Sequence, residues 1–246
     1  ALKNCHSLLV HTVDDLNRLK EMGLIDNVSI FPHGILDFEI KKKNTEFKED
    51  NFSISSYGFA LPNKGLEKLV EAVNLLHISG QKVYMNMFNA EYESPLSKEV
   101  IKNVQDKIDL YKLNDYILLD TNYSNDNEVL EKLSKSDLVL YPYQQSNEST
   151  SGAVRIGIAS GATVIVTPLP IFNDVAPAVT FLSGFGAKEI AFCISEFINS
   201  RNLIESNQAF KEKNEIASKW RESHRYSTIS VRLYDRIMSL YNKNFD

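Results

Sequence analysis

The chain has 246 residues, 43% hydrophobic and 24% charged, with a net charge of −5. That composition can bury a sizeable core, which excludes a disordered or fibrous chain. The negative balance argues against nucleic acid or an anionic membrane as the main partner, while leaving room for a local basic patch. The two cysteines, Cys5 and Cys193, lack framework spacing, so neither a disulfide scaffold nor a zinc site is indicated, and a reducing, cytoplasmic compartment fits best. No apolar run approaches membrane-spanning length, and no stretch has a signal-peptide pattern.

In chain order, Ser7–Thr12 reads as a buried strand, Val13–Gly23 as a short helix with Asp14 and Asp15 in its first turn, and Val28–Phe31 as another strand. Pro32–Gly34 breaks the pattern as a turn, in which His33 is either a turn residue or a ligand-facing group at a hinge. A strand–helix–strand piece this short cannot bury a core alone. Residues 1–35 therefore read as the remnant of a larger upstream domain.

Asp37–Asn51 is polar and lysine-rich and reads as a solvated linker, with a binding patch as the alternative. Strands and helices then alternate. Phe52–Gly58 is a strand, and Gly65–Ser79 is an amphipathic helix with Leu66, Leu69, Val70, Val73 and Leu76 on one face. The pattern continues with strand Val83–Phe88, helix Ser97–Tyr111, strand Tyr116–Asp120, helix Asp126–Lys135 and strand Leu138–Tyr141. A helix after Gly152 and a strand over Thr163–Thr167 follow. This alternation predicts an α/β, Rossmann-like doubly wound parallel sheet over residues 36–220, with helices on both faces. Ligands in such sheets bind beyond the carboxyl ends of the strands, where the Gly58–Gly65 and Tyr143–Gly152 loops fall. From about Ser183 the chain is largely helical, over Phe185–Ser200, Ser206–Trp220 and Ser227–Asn242, with 221–246 as a separate C-terminal element. Trp220, Tyr226, Tyr234 and Tyr241 are expected to be packing residues of a core or an interdomain seam.

The most informative stretch is NESTSGAVRIGIASGATVIV, from Asn147 to Val166. Ser149, Thr150, Ser151 and Gly152 fall at a helix N-terminus, where free N–H groups and the positive end of the dipole suit a phosphate. An ordinary Ser/Thr N-cap without ligand is the alternative. Lys64, between a strand end and a helix start, is placed to reach a phosphate at the same rim, or is an exposed first-turn lysine. Glu148 either accepts from sugar hydroxyls or complements the helix dipole. Arg155 pairs with a phosphate or with an internal carboxylate. His6, His11, His77 and His224 show no metal-ligand spacing, and no metal site is expected. The absence of GxSxG, P-loop and GxGxxG patterns argues against a serine hydrolase, an ATPase and a nicotinamide oxidoreductase.

The succession PHG, then SYGFALPNKGLEKLVEAVNLL, then EKLSKSDLVLYPYQQSNESTSGAVRIGIASGATVIVT resembles the C-terminal half of a GT-B glycosyltransferase. It is most similar to the retaining group known as family 4, which includes sucrose-synthase-like and mannosyltransferase-like enzymes. The resemblance runs from about Leu8 to the final helix. It implies that Lys64 contacts the donor diphosphate, that Glu148 contacts the donor sugar, and that backbone amides at Ser151 and Gly152 meet the diphosphate. Gly58, Ser149, Thr150 and Arg155 complete the implied donor-binding set. Two positions depart from the family pattern. Phe59 stands where an arginine is common, and Ile156 stands where a second glutamate usually contacts the ribose. Arg155, one residue earlier, is placed to replace the lost charge but cannot accept hydrogen bonds from ribose.

The resemblance implies transfer from a nucleotide-diphosphate sugar, UDP- or GDP-linked, to a glycan or a lipid- or protein-linked acceptor, with retention and without metal or other cofactor. Lys64, Arg155 and the helix N-terminus would stabilise the leaving diphosphate, and Glu148 would orient the sugar. The base would lie near Tyr116–Asp120. A missing N-terminal domain would hold the acceptor and be braced by the final helix, leaving this chain alone with weak donor binding and little catalysis. Tyr234, Leu240 and Tyr241 would be exposed where the domain they would brace is missing. The expected location is cytoplasmic, with docking of the full-length enzyme at the inner membrane face left open. Three alternatives stand: a degenerate non-catalytic module, suggested by Phe59 and Ile156; another GT-B enzyme such as a nucleotide-sugar epimerase; and a doubly wound domain that binds no nucleotide.

Overall fold

A computed structural model describes residues 2–39, 52–200 and 208–242. A two-stranded parallel sheet comes first, β1 (Leu8–Val10) beside β2 (Val28–Ile30), joined through α1 (Val13–Glu21). Thr12 caps α1, accepting from the Asp15 N–H at 3.1 Å. The lysine-rich stretch from Ile40 to Asn51 lies outside the described residues.

The main sheet is built from β3 (Phe52–Phe59), β4 (Val83–Ala90), β5 (Ile117–Asp120), β6 (Leu138–Tyr141), β7 (Thr163–Val166) and β8 (Val179–Phe181). Between them lie α2 (Leu66–Ile78), α3 (Pro95–Leu110), α4 (Asp126–Ser134), α5 (Gly152–Ala159) and a 3-10 helix over Pro170–Ala178. The strand order is β5-β4-β3-β6-β7-β8, with every pair parallel. The chain steps outward from β3 to β5, returns across β3 to β6, and steps outward the other way. That reversal opens a crevice at the carboxyl ends of β3 and β6, the position where doubly wound sheets take ligands.

Strand alternation divides the core between two layers. Leu138, Leu140 and Ile165 pack with α2, α3 and the later helix α6 (Ala187–Ser200), while Val139, Tyr141, Val164 and Val166 pack with α4, α5 and the 3-10 helix. β6 is buried along its whole length, as a central parallel strand covered on both faces must be. The serines inside β3 are tolerated because each has a partner. Ser55 Oγ pairs with Ser136 Oγ at 2.6 Å, and Ser56 Oγ donates to Asn89 Oδ1 at 2.6 Å.

Two terminal helices, α7 (Gln208–His224) and α8 (Tyr226–Asn242), return to the hinge after β2. Ile35 N–H donates to the His224 carbonyl at 2.8 Å, and Tyr226 N–H donates to the Ile35 carbonyl at 2.9 Å. Arg236 of α8 donates to Ser7 Oγ at 3.0 Å and Ser29 Oγ at 2.6 Å, fastening the small sheet to the C-terminal helix.

Several expectations need correction. β8 and the 3-10 helix before it were unforeseen, and α3 starts at Pro95, capped by Ser94, rather than at Ser97. Of the four aromatics assigned to a core or an interdomain seam, Trp220 is buried and the Tyr226 ring packs on Gly34. Tyr226, Tyr234 and Tyr241 are 45%, 62% and 56% exposed. α7 continues past Trp220 to His224, because Trp220 and His224 stack one helical turn apart at 3.9 Å.

Gly65 holds the two strand-end loops against each other. It begins α2 at φ 72°, and a Cβ there would lie 1.9 Å from the Pro142 carbonyl oxygen after β6. Gly65→Ala is expected to cost about 2 kcal/mol or more, a fall of roughly 4–8 °C in melting temperature. Gly80→Ala, at φ 86° in open space, meets only the backbone strain of about 1 kcal/mol. Equal losses in thermal denaturation of the two variants would contradict this role for the Gly65 contact.

Candidate functional site

The crevice between the ends of β3 and β6 is lined by loops tied to each other. Gln144 N–H donates to the Asn63 carbonyl at 2.7 Å, and Gln144 Nε2 donates to the carbonyls of Pro142 and Phe185 at 2.9 and 3.0 Å. Nothing in the sequence marked this glutamine, since its partners are backbone atoms from three separate segments. Gly58, near the end of β3 at φ 128°, brings that strand within close contact of α5, and a Cβ on it would lie 3.3 Å from Ala153 Cβ. Gly58 thus allows the strand end to approach the first turn of the helix.

Lys64 and Glu148 meet across the crevice. Lys64 Nζ lies 3.5 Å from Glu148 Oε2 and 3.9 Å above the centroid of the Tyr143 ring. The Lys64 side chain is 19% exposed and that of Glu148 is 62% exposed. The pair is open to solvent on the glutamate side, which makes it a weak ion pair. Lys64 itself is held by the aromatic face beneath it. Tyr143 was not among the expected site residues, and it positions this cation.

Ser151 is a true N-cap. Its Oγ accepts from Val154 N–H at 3.4 Å, and it exchanges a 3.3 Å hydrogen bond with the Tyr143 hydroxyl. This side chain therefore caps the helix. The N–H groups of Gly152 and Ala153 take no hydrogen-bond partner among the described residues. A Cβ on Gly152 would meet nothing within 4 Å, so the space above the first turn is open. Ser149 Oγ donates to the Asp15 carboxylate of α1, and Thr150 Oγ1 lies 3.4 Å from His33 Nδ1. These two side chains face the N-terminal unit rather than the crevice.

Arg155 pairs with an internal carboxylate, one of the two partners the sequence left open. It is 3% exposed, donates through Nη1 to the Ser151 carbonyl at 3.1 Å, and contacts Asp174 through Nη2. Asp174, from the 3-10 helix, was missed because its pairing with Arg155 links two elements across β7. Burying the guanidinium under the loop also affects its neighbours. His33 has its pKa lowered to about 4, first by burial and then by the positive charges of Arg155 and His11. The neutral His33 ring stacks on His11 at 4.7 Å.

Two further spaces adjoin these residues. A cleft of about 770 Å³ between the N-terminal unit and the loop is lined by His11, Asp15, His33, Glu148, Asp174 and His224, among others. A smaller space of about 150 Å³ lies at the ends of β3, β4 and β5, against Tyr57, Phe88, Asn122, Tyr123 and Ser124. Phe59, where the resemblance looks for arginine, stacks edge-on against Tyr92 at 5.1 Å. Ile156 packs onto the second core layer and presents no acceptor. Among the described residues no cluster of three or more His, Cys, Asp or Glu side chains is arranged for a metal. No helix there is long and apolar enough to cross a membrane.

No family model matches the chain, and no curated protein matches its sequence. Solved structures do match. A UDP-forming α,α-trehalose-phosphate synthase from Burkholderia xenovorans superposes with a TM-score of 0.73 at 13% identity, over 98% of this chain and 62% of its own. A glycosyltransferase from Rickettsia africae gives 0.72 at 15% identity, over 96% and 63%. Anabaena HepE, solved with UDP and glucose, gives 0.70 at 12% identity, over 96% and 64%. The chain thus has the fold of GT-B glycosyltransferases, a Rossmann-like sheet with C-terminal helices, and spans about three-fifths of the length of these structures.

The Arg155–Asp174 pair beneath the loop generates a stability prediction. Asp174→Ala leaves a buried guanidinium without its counter-charge and is expected to cost about 3 kcal/mol in urea denaturation. Arg155→Met combined with Asp174→Leu should cost less than Asp174→Ala alone. A double variant less stable than Asp174→Ala would show that the pair contributes more than its own desolvation.

Proposed function

We propose that this chain is the donor-binding part of a glycosyltransferase, taking a UDP- or GDP-sugar and passing the sugar, with retention, to a glycan or a lipid- or protein-linked acceptor. The observation that carries this reading is the convergence of Lys64 and the open first turn of α5 on the crevice where the strand order reverses. A cation and two N–H groups without partners among the described residues form a seat for a diphosphate. As the bond between the anomeric carbon and the phosphate oxygen breaks, negative charge builds on the leaving diphosphate. Preorganised donors of this kind stabilise that charge. In the ground state Glu148 occupies Lys64. When the donor binds, the diphosphate takes the lysine and frees Glu148 for the sugar hydroxyls.

Arg155 has a positioning role in this reading. It holds the Ser151 carbonyl from below and so fixes the direction of the first turn, rather than touching the diphosphate itself. The base fits the space beside Asn122 and Tyr123, past the end of β5. The acceptor would lie in the larger cleft, completed by a further domain that also covers the exposed Tyr234 and Tyr241 of α8. Residues 1–35 would belong with that domain, 36–220 would bind the donor, and 221–246 would brace the two. Cytoplasmic placement and the absence of a metal requirement belong to the same reading.

One observation favours a second reading. Ile156 offers the ribose no acceptor and Phe59 offers the diphosphate no charge, as expected of a degenerate module kept for binding or regulation. Calorimetry with UDP, GDP, ADP and CMP, without added metal, separates the two. The donor reading predicts selective binding of one diphosphate, weakened about tenfold or more by Lys64→Ala. It also predicts that Glu148→Gln weakens the nucleotide-sugar more than the free diphosphate. Absence of nucleotide binding by the folded protein, both alone and joined to the further domain proposed above, favours the module.

A further inference from the structure

A second pocket lies at the opposite edge of the main sheet. It is lined where β7 and β8 begin, by Thr163, Val164, Val179 and Thr180, and has a volume of about 430 Å³. The candidate donor crevice lies past the carboxyl ends of the strands, so the length of the sheet separates the two sites. Ile158, Val164, Val179 and Phe197 give the pocket an apolar floor, and α7 forms its outer wall.

The wall is cationic. Lys213 and Arg221 both line the pocket, and they are eight residues apart on α7. That spacing is a little over two helical turns, so both project from the same side of the helix, roughly 12 Å apart along its axis. Among the described residues, no carboxylate lines the pocket and neither cation forms an ion pair. The nearby Glu222 is engaged by Arg225 at 2.7 Å.

Arg221 lies deeper than Lys213, which is exposed at the mouth. Among the described residues its Nη2 reaches only Ser218 Oγ at 3.4 Å, and its Nε is buried without a hydrogen-bond partner. A buried guanidinium N–H without an acceptor is costly, and the deficit is removed by an anionic oxygen placed against it. Burial is the main cause that lowers the pKa of Arg221, with Glu222 opposing it and Arg225 adding to it. Thr163, Thr180 and Asn214 add neutral polar groups.

We propose that this pocket binds a small amphipathic anion, its phosphate or carboxylate head on Arg221 and Lys213 and its apolar body against Ile158, Val179 and Phe197. The volume suits a small-molecule ligand. The site is independent of the donor crevice and does not rest on the function proposed for it.

Calorimetry with hexyl phosphate and with hexanoate tests the assignment and identifies the preferred head group. Inorganic phosphate, hexanol and hexylammonium serve as controls. At least one of the two amphipathic anions is expected to bind, with inorganic phosphate and hexanol at least about tenfold weaker and hexylammonium not bound. Arg221→Met and Lys213→Met should each weaken binding about tenfold or more, while Arg221→Lys retains part of it. If Arg221→Met fails to fold, Lys213→Met at the exposed mouth carries the test. Failure of both anions to bind, equal binding of hexylammonium, or undiminished binding by the folded Met variants would overturn the proposal. Because UDP binding reports on the other edge of the sheet, its outcome does not bear on this one.

Discussion

The crevice depends on one close approach, that of Gly65 to the carbonyl of Pro142. The chain leaves β3 toward the layer containing α2 and leaves β6 toward the layer containing α5. The two departures must pass each other side by side at the centre of the sheet. Only a residue without a Cβ, in the left-handed region, lets the start of α2 come so near the β6 exit. Gln144 then joins the two loops through backbone carbonyls, and Lys64, one residue before Gly65, is carried to the mouth of the second loop.

Charge is arranged in two tiers around that loop. Below it, Arg155 is neutralised by Asp174 and donates through a second nitrogen to the Ser151 carbonyl, which holds the turn from beneath. Above it, Lys64 rests on Tyr143 with a solvent-exposed glutamate as its counter-ion. Exposed ion pairs of this sort are worth little, so the lysine can exchange Glu148 for a stronger anion at small cost. The buried pair already has its partners, so the two basic residues beside the loop are held in different ways.

Much of this was legible in the sequence, and the reasons are local. The four-residue apolar run of β6 marks a strand buried on both faces, and the one-sided leucine and valine stripe of α2 follows the period of 3.6. The alternation of such segments carries the sheet and its two layers with it. The Ser/Thr–Gly loop announced a helix start, and both its capping serine and its open first turn are present. β8 was hidden because it is a three-residue edge strand following a segment with prolines at Pro168, Pro170 and Pro177, which reads as a loop. Long-range polar pairings were hidden as well. Asp174, Gln144 and Tyr143 take their roles from partners brought near only by the folded sheet. The exposed tyrosines of α8 have the same spacing as buried ones, and periodicity cannot distinguish a buried face from an exposed one.

The central claim is that the first turn of α5 receives the donor diphosphate. Amide hydrogen exchange, resolved at single residues and followed with and without a saturating UDP- or GDP-sugar, tests it most directly. The account predicts slower exchange at Gly152 and Ala153, whose N–H groups are without partners among the described residues, together with the Lys64 loop. Unchanged exchange at that turn with nucleotide-sugar bound, or protection confined to the cleft beside His11 and Asp15, would contradict it.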